Sequence, residues 1–325
     1  MPLAIWIIPT AVLAFSLACM GYVYRLRGNV RFAGVSEYLR KGWPVFAPLN
    51  CLLYACTHAR GKPPIQRNED FPEYQILRDN WQTIRDEALK LKELGFFEQS
   101  KDTTNVAYYD VGFRTFAKYG WSKFYLHWYG YTHHSAQELC PKTVEIIKRV
   151  PQINGAMFSL LPARSILTRH LDPVASSLRL HMGLKTPNQD ACFIEVDGLT
   201  HSWRDGEILL FDETFLHHVR NDTDEFRLLF MCDVRRPLNL PGRILNAVVQ
   251  AALAVSIVPN TSKDRRGLAN RLFHGLVPFL AKTKALKQTN RPLYLCVKWG
   301  INLTLIAVAL ALLGLAAWGV SRLMA

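Results

Sequence analysis

Two stretches of the chain run without a charged residue for the length of a membrane span. Residues 3–24 form a run of 22, and residues 301–320 a run of 20 rich in Leu and Ala. A helix needs roughly 20 apolar residues to cross a hydrocarbon core, so the pattern predicts a transmembrane helix at each end. The first run lacks a basic residue before it and has arginines after it, which favours an uncleaved anchor over a signal peptide. Between the spans the texture is that of a folded domain. Tyr74, Leu77, Trp81, Ile84, Ala88 and Leu91 recur at threes and fours with charges on the other face, predicting a helix over 72–98. Pro141 opens a second short helix, 141–150. From Gly155 onward, β-prone runs (156–161, 177–184, 191–196, 207–211, 226–234) alternate with Gly, Asn and Asp turns. That spacing predicts a mainly β domain, a sandwich or small barrel.

Charge changes this picture by its location. The formal net charge is +13. Residues 25–67 hold eight basic side chains against Glu37, and residues 241–300 hold ten against Asp264, whereas 68–240 are net acidic. The excess therefore lies beside the two predicted spans, where short basic flanks stay cytoplasmic. The middle of the chain is expected to face the cytosol. Anionic lipid headgroups explain such flanks; nucleic acid does not, because the central domain carries no basic face. Two further apolar stretches, 43–59 and 244–258, are too short or too interrupted to span. They suit interfacial or re-entrant helices, with packing on the soluble domain as the alternative. The nearby Arg60, Lys62, Arg265 and Arg266 are placed to meet lipid phosphates. The seven cysteines show no C-x-x-C and no dense frame, which argues against a disulfide scaffold or a structural zinc module.

The chemistry gathers in the β region. His170-Leu171-Asp172 is an H-x-D; His217 follows 45 residues after Asp172, and Arg227 ten residues after His217. Two histidines and a carboxylate on one face of an octahedral ion leave three open positions, the donor set of non-haem Fe(II) oxygenases. A later arginine on the same fold is suited to hold a distal carboxylate of a co-substrate in a bidentate pair. An H-x-D alone is a weak signal. His217 and His218 compete for the third position, since adjacent strand residues face opposite ways.

With those residues in place, the chain resembles the aspartyl/asparaginyl β-hydroxylase family of Fe(II)/2-oxoglutarate dioxygenases, and within it the bacterial lipid A 2-hydroxylases. The matching segments are 121–126 (WSKFYL), 128–130 (WYG), 139–143 (LCPKT), 156–162 (AMFSLLP), 170–173 (HLDP), 176–184 (SSLRLHMGL), 202–206 (SWRDG), 211–215 (FDETF) with His217, and 226–228 (FRL) with Asp233 and Val234. The resemblance covers about residues 70–240. It implies a double-stranded β-helix (jelly-roll, cupin-like) with flanking helices. It implies that His170, Asp172 and His217 bind Fe(2+) and that Arg227 pairs with 2-oxoglutarate, O2 being the second co-substrate. Ser159 and His181 match co-substrate positions, and Arg179 one that meets the substrate carboxylate in the animal peptide hydroxylases. Ser159 also fits a strand-edge hydroxyl and Arg179 a structural salt bridge. Trp128, Trp203 and Phe215 fit core or rim packing, and Asp212 and Glu213 either an orienting role beside His217 or a solvated turn. Asp172 stands where the animal enzymes have glycine, Ser177 where they have an arginine of the peptide clamp, and His127 where they have a tryptophan.

The expected organisation is an anchor (1–24), a basic interfacial segment (25–69), the dioxygenase domain (70–240), a basic membrane-associated segment (241–300) and a second span (301–325). The expected activity is hydroxylation at carbon 2 of a secondary acyl chain of lipid A or Kdo2-lipid A, at the cytosolic face of the bacterial inner membrane. The alternative is an aspartyl or asparaginyl side chain of a protein. No nucleic-acid partner is expected.

Overall fold

The computed structural model describes residues 2–102, 105–108, 110 and 119–300. Side chains of 2–9, and of several positions between 273 and 285, lie outside what it describes. The chain divides into two compact units, Met1–Asn270 and Arg271–Ala325. In chain order the helices are α1 (Pro2–Arg25), α2 (Val35–Lys41), α3 (Ala47–Ala55), α4 (Gln75–Asp79), α5 (Trp81–Glu93), α6 (Phe96–Gln99), α7 (His134–Leu139), α8 (Pro141–Lys148), α9 (Leu240–Leu253) and α10 (Leu268–Thr289). The strands are β1 (Ser122–Trp128), β2 (Tyr131–Thr132), β3 (Ile153–Leu161), β4 (Ser165–His170), β5 (Ser177–Lys185), β6 (Cys192–Val196), β7 (Leu199–Ser202), β8 (Ile208–Phe211), β9 (His217–Asn221) and β10 (Arg227–Arg235).

Among the described residues the strands form two antiparallel sheets, β2-β1-β3-β10-β5-β8 and β4-β9-β6-β7. The larger sheet is buried on both faces, and its alternation shows why. Along β5, Leu178, Leu180, Met182 and Leu184 pack with α5 and α8 in the main core. The intervening Ser177, Arg179 and His181 face the other way, as a period of two requires. β10 repeats this: Leu228, Phe230, Cys232 and Val234 go to the helices, and Arg227, Leu229, Met231 and Asp233 go to the inner face. A second apolar cluster, including Leu167, Ile194, Val219, Leu209, Phe211 and Leu229, joins strands of the two sheets. The functional side chains thus come from positions the alternation leaves between the sheets.

The expected helix over 72–98 is broken into α4, α5 and α6. Asn80 turns its side-chain amide onto the Ile76 carbonyl at 2.8 Å, and Gly95 sits at φ 79°, the left-handed conformation that ends a helix. Its apolar stripe is nonetheless the buried one: Tyr74, Leu77, Ile84, Ala88 and Leu91 are all buried. Glu87 of α5 reaches the start of α8, accepting from the amides of Lys142 (3.1 Å) and Thr143 (2.8 Å). Two of the donors that a helix start leaves unmatched are satisfied from a neighbouring helix.

The short apolar stretches 43–59 and 244–258 pack on the β domain through α3 and α9. Leu53 of α3 is fully buried with Ala175 and Leu238. Each helix also spends a buried asparagine on one loop. Asn50 accepts from Ala175 N–H at 2.8 Å and donates to Pro173 C=O at 3.0 Å. Asn246 donates to Ser176 C=O at 2.8 Å. That loop directly follows Asp172. The outer faces of the same helices stay apolar, with Leu52, Ile244 and Val248 exposed. No helix among the described residues is long and apolar enough to cross a membrane. The run 3–24 is helical within α1, with side chains described from Thr10 onward, and the expected C-terminal span lies outside the described residues.

Losing the Asn50 carboxamide leaves two buried backbone groups without partners, at about 1–3 kcal/mol each before relaxation. Asn50→Ala is expected to lower stability by about 2 kcal/mol in urea unfolding, whereas Leu52→Ala on the exposed face is expected to change it by less than about 0.5 kcal/mol.

Candidate active site

β4 and β9 pair so that His170 stands directly opposite His217. The two imidazoles lie 4.3 Å apart, centroid to centroid. Asp172 follows His170 past the end of the strand, and its N–H donates to Glu213 C=O at 2.9 Å, which fixes the turn. The carboxylate comes within 3.6 Å of His170 Nε2. One donor atom from each of His170, Asp172 and His217 falls within 4.8 Å of the others. Both imidazoles are held from behind: Nδ1 of His170 meets Thr168 C=O at 2.7 Å and Nδ1 of His217 meets Phe215 C=O at 2.9 Å. A proton placed on each Nδ1 fixes the tautomer that presents Nε2 as a ligand. Burial, then its neighbour His170, pushes His217 down to about 3. Burial likewise lowers His170. Burial raises Asp172, but Arg179 and the two histidines outweigh it and hold the carboxyl below its usual range. Neutral imidazoles and an ionised carboxylate are the forms a divalent metal takes, so the donor set fits iron. His218 points away, half-buried, 3.7 Å from Glu195.

These groups line a cavity of about 370 Å³ between the sheets. Two arginines enter it under opposite conditions. Arg179, opposite Asp233 in the β5–β10 register, is shared by three carboxylates: Asp233 at 2.9 Å, Asp172 at 3.3 Å and Glu213. Burial drives Glu213 and Asp233 above their ordinary values, with Asp172 adding to the rise against the pull of Arg179. Arg227 is also fully buried, yet its Nε and Nη1 have no partner. Its guanidinium stacks on Trp203 at 4.2 Å from the ring centroid. Burial pushes it down to about 10, with only the Cys192 thiol opposing, so it remains a cation at neutral pH. Both nitrogens of buried His181 are likewise unpartnered, and burial followed by Arg227 holds that ring neutral. Buried, orphaned cationic and polar atoms lining a cavity are the complement of an anionic ligand such as 2-oxoglutarate.

The remaining expected residues fall as follows. The Ser159 hydroxyl accepts from Trp121 Nε1. Trp203 is buried beneath Arg227, and Trp128 lines the cavity while donating to Ser256 Oγ at 3.0 Å. His127 contacts Thr132 at 3.0 Å, outside the cavity lining. Asp212 and Glu213 are buried ion-pair members, which removes the solvated-turn reading. Three features carried no assigned role in the sequence. Asp233 and Tyr129, bonded at 3.2 Å, line the cavity; their signal was an acid at an inward position of a buried strand. Leu253 and Val258 also line it, bringing the C-terminal apolar segment to the site. The third is the asparagine pair that holds the loop after Asp172.

His217→Ala is expected to weaken anaerobic binding of Fe(II), or of Co(II) as a spectroscopic reporter. The loss should exceed the roughly 10–100-fold that removing an outer partner costs. His218→Ala is expected to leave it within about threefold, as a surface substitution should. Equal losses in the two variants would reverse the assignment of the third ligand.

Residues 78–237 match the family model described as aspartyl/asparaginyl beta-hydroxylase. An ornithine lipid ester-linked acyl 2-hydroxylase of Rhizobium tropici is 30% identical over 191 residues, 57% of this chain and 65% of that protein. The aspartyl/asparaginyl beta-hydroxylase of Homo sapiens is 30% identical over 168 residues, 50% of this chain and 21% of that protein. The chain therefore spans just under two thirds of the first relative and about a fifth of the second. Among solved structures, a prolyl-4-hydroxylase of Pseudomonas putida aligns at a TM-score of 0.26 and 17% identity, over 36% of this chain and 72% of that one. The paired histidines, the H-x-D and the buried arginine thus all lie within residues 78–237, the segment that matches the aspartyl/asparaginyl beta-hydroxylase family model.

Proposed function

We propose that the protein is an Fe(II)- and 2-oxoglutarate-dependent dioxygenase that hydroxylates carbon 2 of a lipid acyl chain, lipid A being the substrate the sequence favours. His170, Asp172 and His217 would hold the iron, and Arg227 the distal carboxylate of 2-oxoglutarate, with His181 and Ser159 beside it. Bound iron with 2-oxoglutarate and O2 would supply the oxidant for an unactivated C–H bond. The chain's own work is to bind, to orient and to keep water out. The two backbone carbonyls behind the histidines fix the ligand nitrogens, and Trp203, beneath Arg227, holds its guanidinium flat at the cavity wall.

The observation that carries the acyl-chain reading is the charge balance of the cavity. Among the described lining residues, Arg227 is the cation left unneutralised, and 2-oxoglutarate would take it. Arg179 is committed to three carboxylates. Ser177, which stands where the animal enzymes have an arginine, lies 3.2 Å from Glu213. Among the described lining residues, a peptide aspartate would meet the acidic groups gathered on Arg179 and no further unpaired cation to receive it. An uncharged methylene chain needs no such cation. Trp128, Val174, Met231, Leu253 and Val258 offer it an apolar wall. The relative named as an acyl 2-hydroxylase supports the same reading. The basic flanks and the apolar outer faces of α3 and α9 support a location at the inner membrane with the domain in the cytosol, and the runs 3–24 and 301–320 remain the proposed anchors. The five-part organisation given by the sequence, with the dioxygenase domain at 70–240, is part of this proposal.

The test is 2-oxoglutarate turnover by the purified full chain with Fe(II). Acylated lipid A in mixed micelles is expected to stimulate succinate formation, and Asp- or Asn-containing peptides are not. Stimulation by peptide alone would reverse the substrate. In the same assay Arg227→Met is expected to raise the KM for 2-oxoglutarate roughly 100-fold, since truncating a buried charge partner costs about 2–5 kcal/mol.

A further inference from the structure

A second cavity, of about 610 Å³, lies on the other side of the 212–217 segment. Its floor is ionic. Asp212 is bound by Arg236 at 2.8 Å and by Arg27 at 2.8 Å, and all three are buried. Arg27 also donates to Thr214 Oγ1 at 2.9 Å, and Arg236 to Ser177 C=O at 3.0 Å. Two guanidinium groups on one carboxylate leave a positive charge uncompensated, and Lys62 at the rim adds another. Donors are left over as well: Nη1 of Arg27 and Nε of Arg236 are buried without partners. Arg27 cannot turn away to find one, because its guanidinium is clamped between the rings of Tyr54 and Phe215, 3.7 Å from each centroid. Asp212 is the acidic residue among the described lining residues. The walls are apolar, formed by Phe15, Ala18 and Leu26 from the N-terminal segment and Ala55 of α3. Leu52 of α3, next to the lining residue Cys51, is exposed.

We infer that this cavity is a second binding site, separate from the catalytic one, for an oxyanion carried by an amphiphile: the phosphate of an anionic membrane lipid. The buried, unpartnered guanidinium N–H groups receive the phosphate oxygens, and Lys62 closes over it. The apolar wall of α1, with Phe15 and Ala18, receives the first methylenes of the chain. The site rests on residues outside the proposed iron and co-substrate set, so its test reads independently of the catalytic assignment. It nevertheless touches that set through one residue. Phe215 lays its ring on Arg27 and its carbonyl on Nδ1 of His217.

The experiment is thermal unfolding of the full chain in neutral maltoside micelles. The probes are phosphatidylglycerol, phosphatidylcholine and inorganic phosphate, each titrated separately. Phosphatidylglycerol is expected to raise Tm saturably by several degrees, with phosphatidylcholine and inorganic phosphate giving little change. Two variants separate the site from general charge attraction. Arg27→Gln removes the orphan donor, and Ala18→Trp fills the cavity from an exposed position without touching the ion cluster. Both are expected to weaken the half-saturating response to phosphatidylglycerol at least tenfold. An unchanged response in Ala18→Trp, or no response in the wild type, would overturn the site. An equal response to inorganic phosphate would overturn the lipid as its occupant.

Discussion

The site depends on one register. Because β4 and β9 align His170 with His217, two imidazoles from distant parts of the chain meet at 4.3 Å. A slip of one residue would turn each to the opposite face and would exchange His217 for His218, which faces Glu195. The surroundings reinforce that register. Thr168 and Phe215 supply carbonyls to the two rings, Glu213 accepts from the Asp172 amide, and Asn50 and Asn246 hold the loop that follows. The two short apolar helices, α3 and α9, are therefore also what steadies the third donor. Their outer faces stay apolar, so one pair of elements serves the site on one side and a nonpolar surface on the other.

Buried charge then divides the cavity by function. Arg179 and Arg227 are both inside, and burial penalises both. Arg179 recovers the loss from three carboxylates. Arg227 recovers little, having only the face of Trp203 and a thiol nearby. Leaving a guanidinium buried and unpaired costs several kcal/mol, a cost that a carboxylate ligand would offset. The same contrast recurs in the second cavity, where Asp212 compensates one of two buried arginines. In both places it is the uncompensated cation, not the salt bridge, on which the proposed ligand site rests.

Much of this was legible in the residues. The runs behind β3, β5, β6, β8 and β10 are apolar enough to announce themselves, and the H-x-D, the later histidine and the arginine ten residues on pointed to one cavity. β4 and β9 gave no such signal. Their sequences, SILTRH and HHVRN, alternate ligands and turn residues with single apolar anchors, Leu167 and Val219. Strands that carry a site spend their inward positions on chemistry, so hydrophobic period cannot find them. The break at Asn80 arises from a local side-chain bond that competes with the helix, and periodicity is blind to that. The commitment of Arg179 to three acids was invisible too, because Asp172, Glu213 and Asp233 converge only when three separate segments are folded together.

The central claim is that this iron-type site acts on a lipid acyl chain. The most direct measurement is mass spectrometry of membrane lipids from cells expressing the wild-type chain or His170→Ala at equal levels. The account predicts a gain of one oxygen, about 16 Da, on an acyl chain, with the fragment placing it at carbon 2 and the gain absent in the variant, since the oxidant is generated at the metal. An unmodified lipid pool in cells whose wild-type enzyme is expressed and iron-loaded would contradict it.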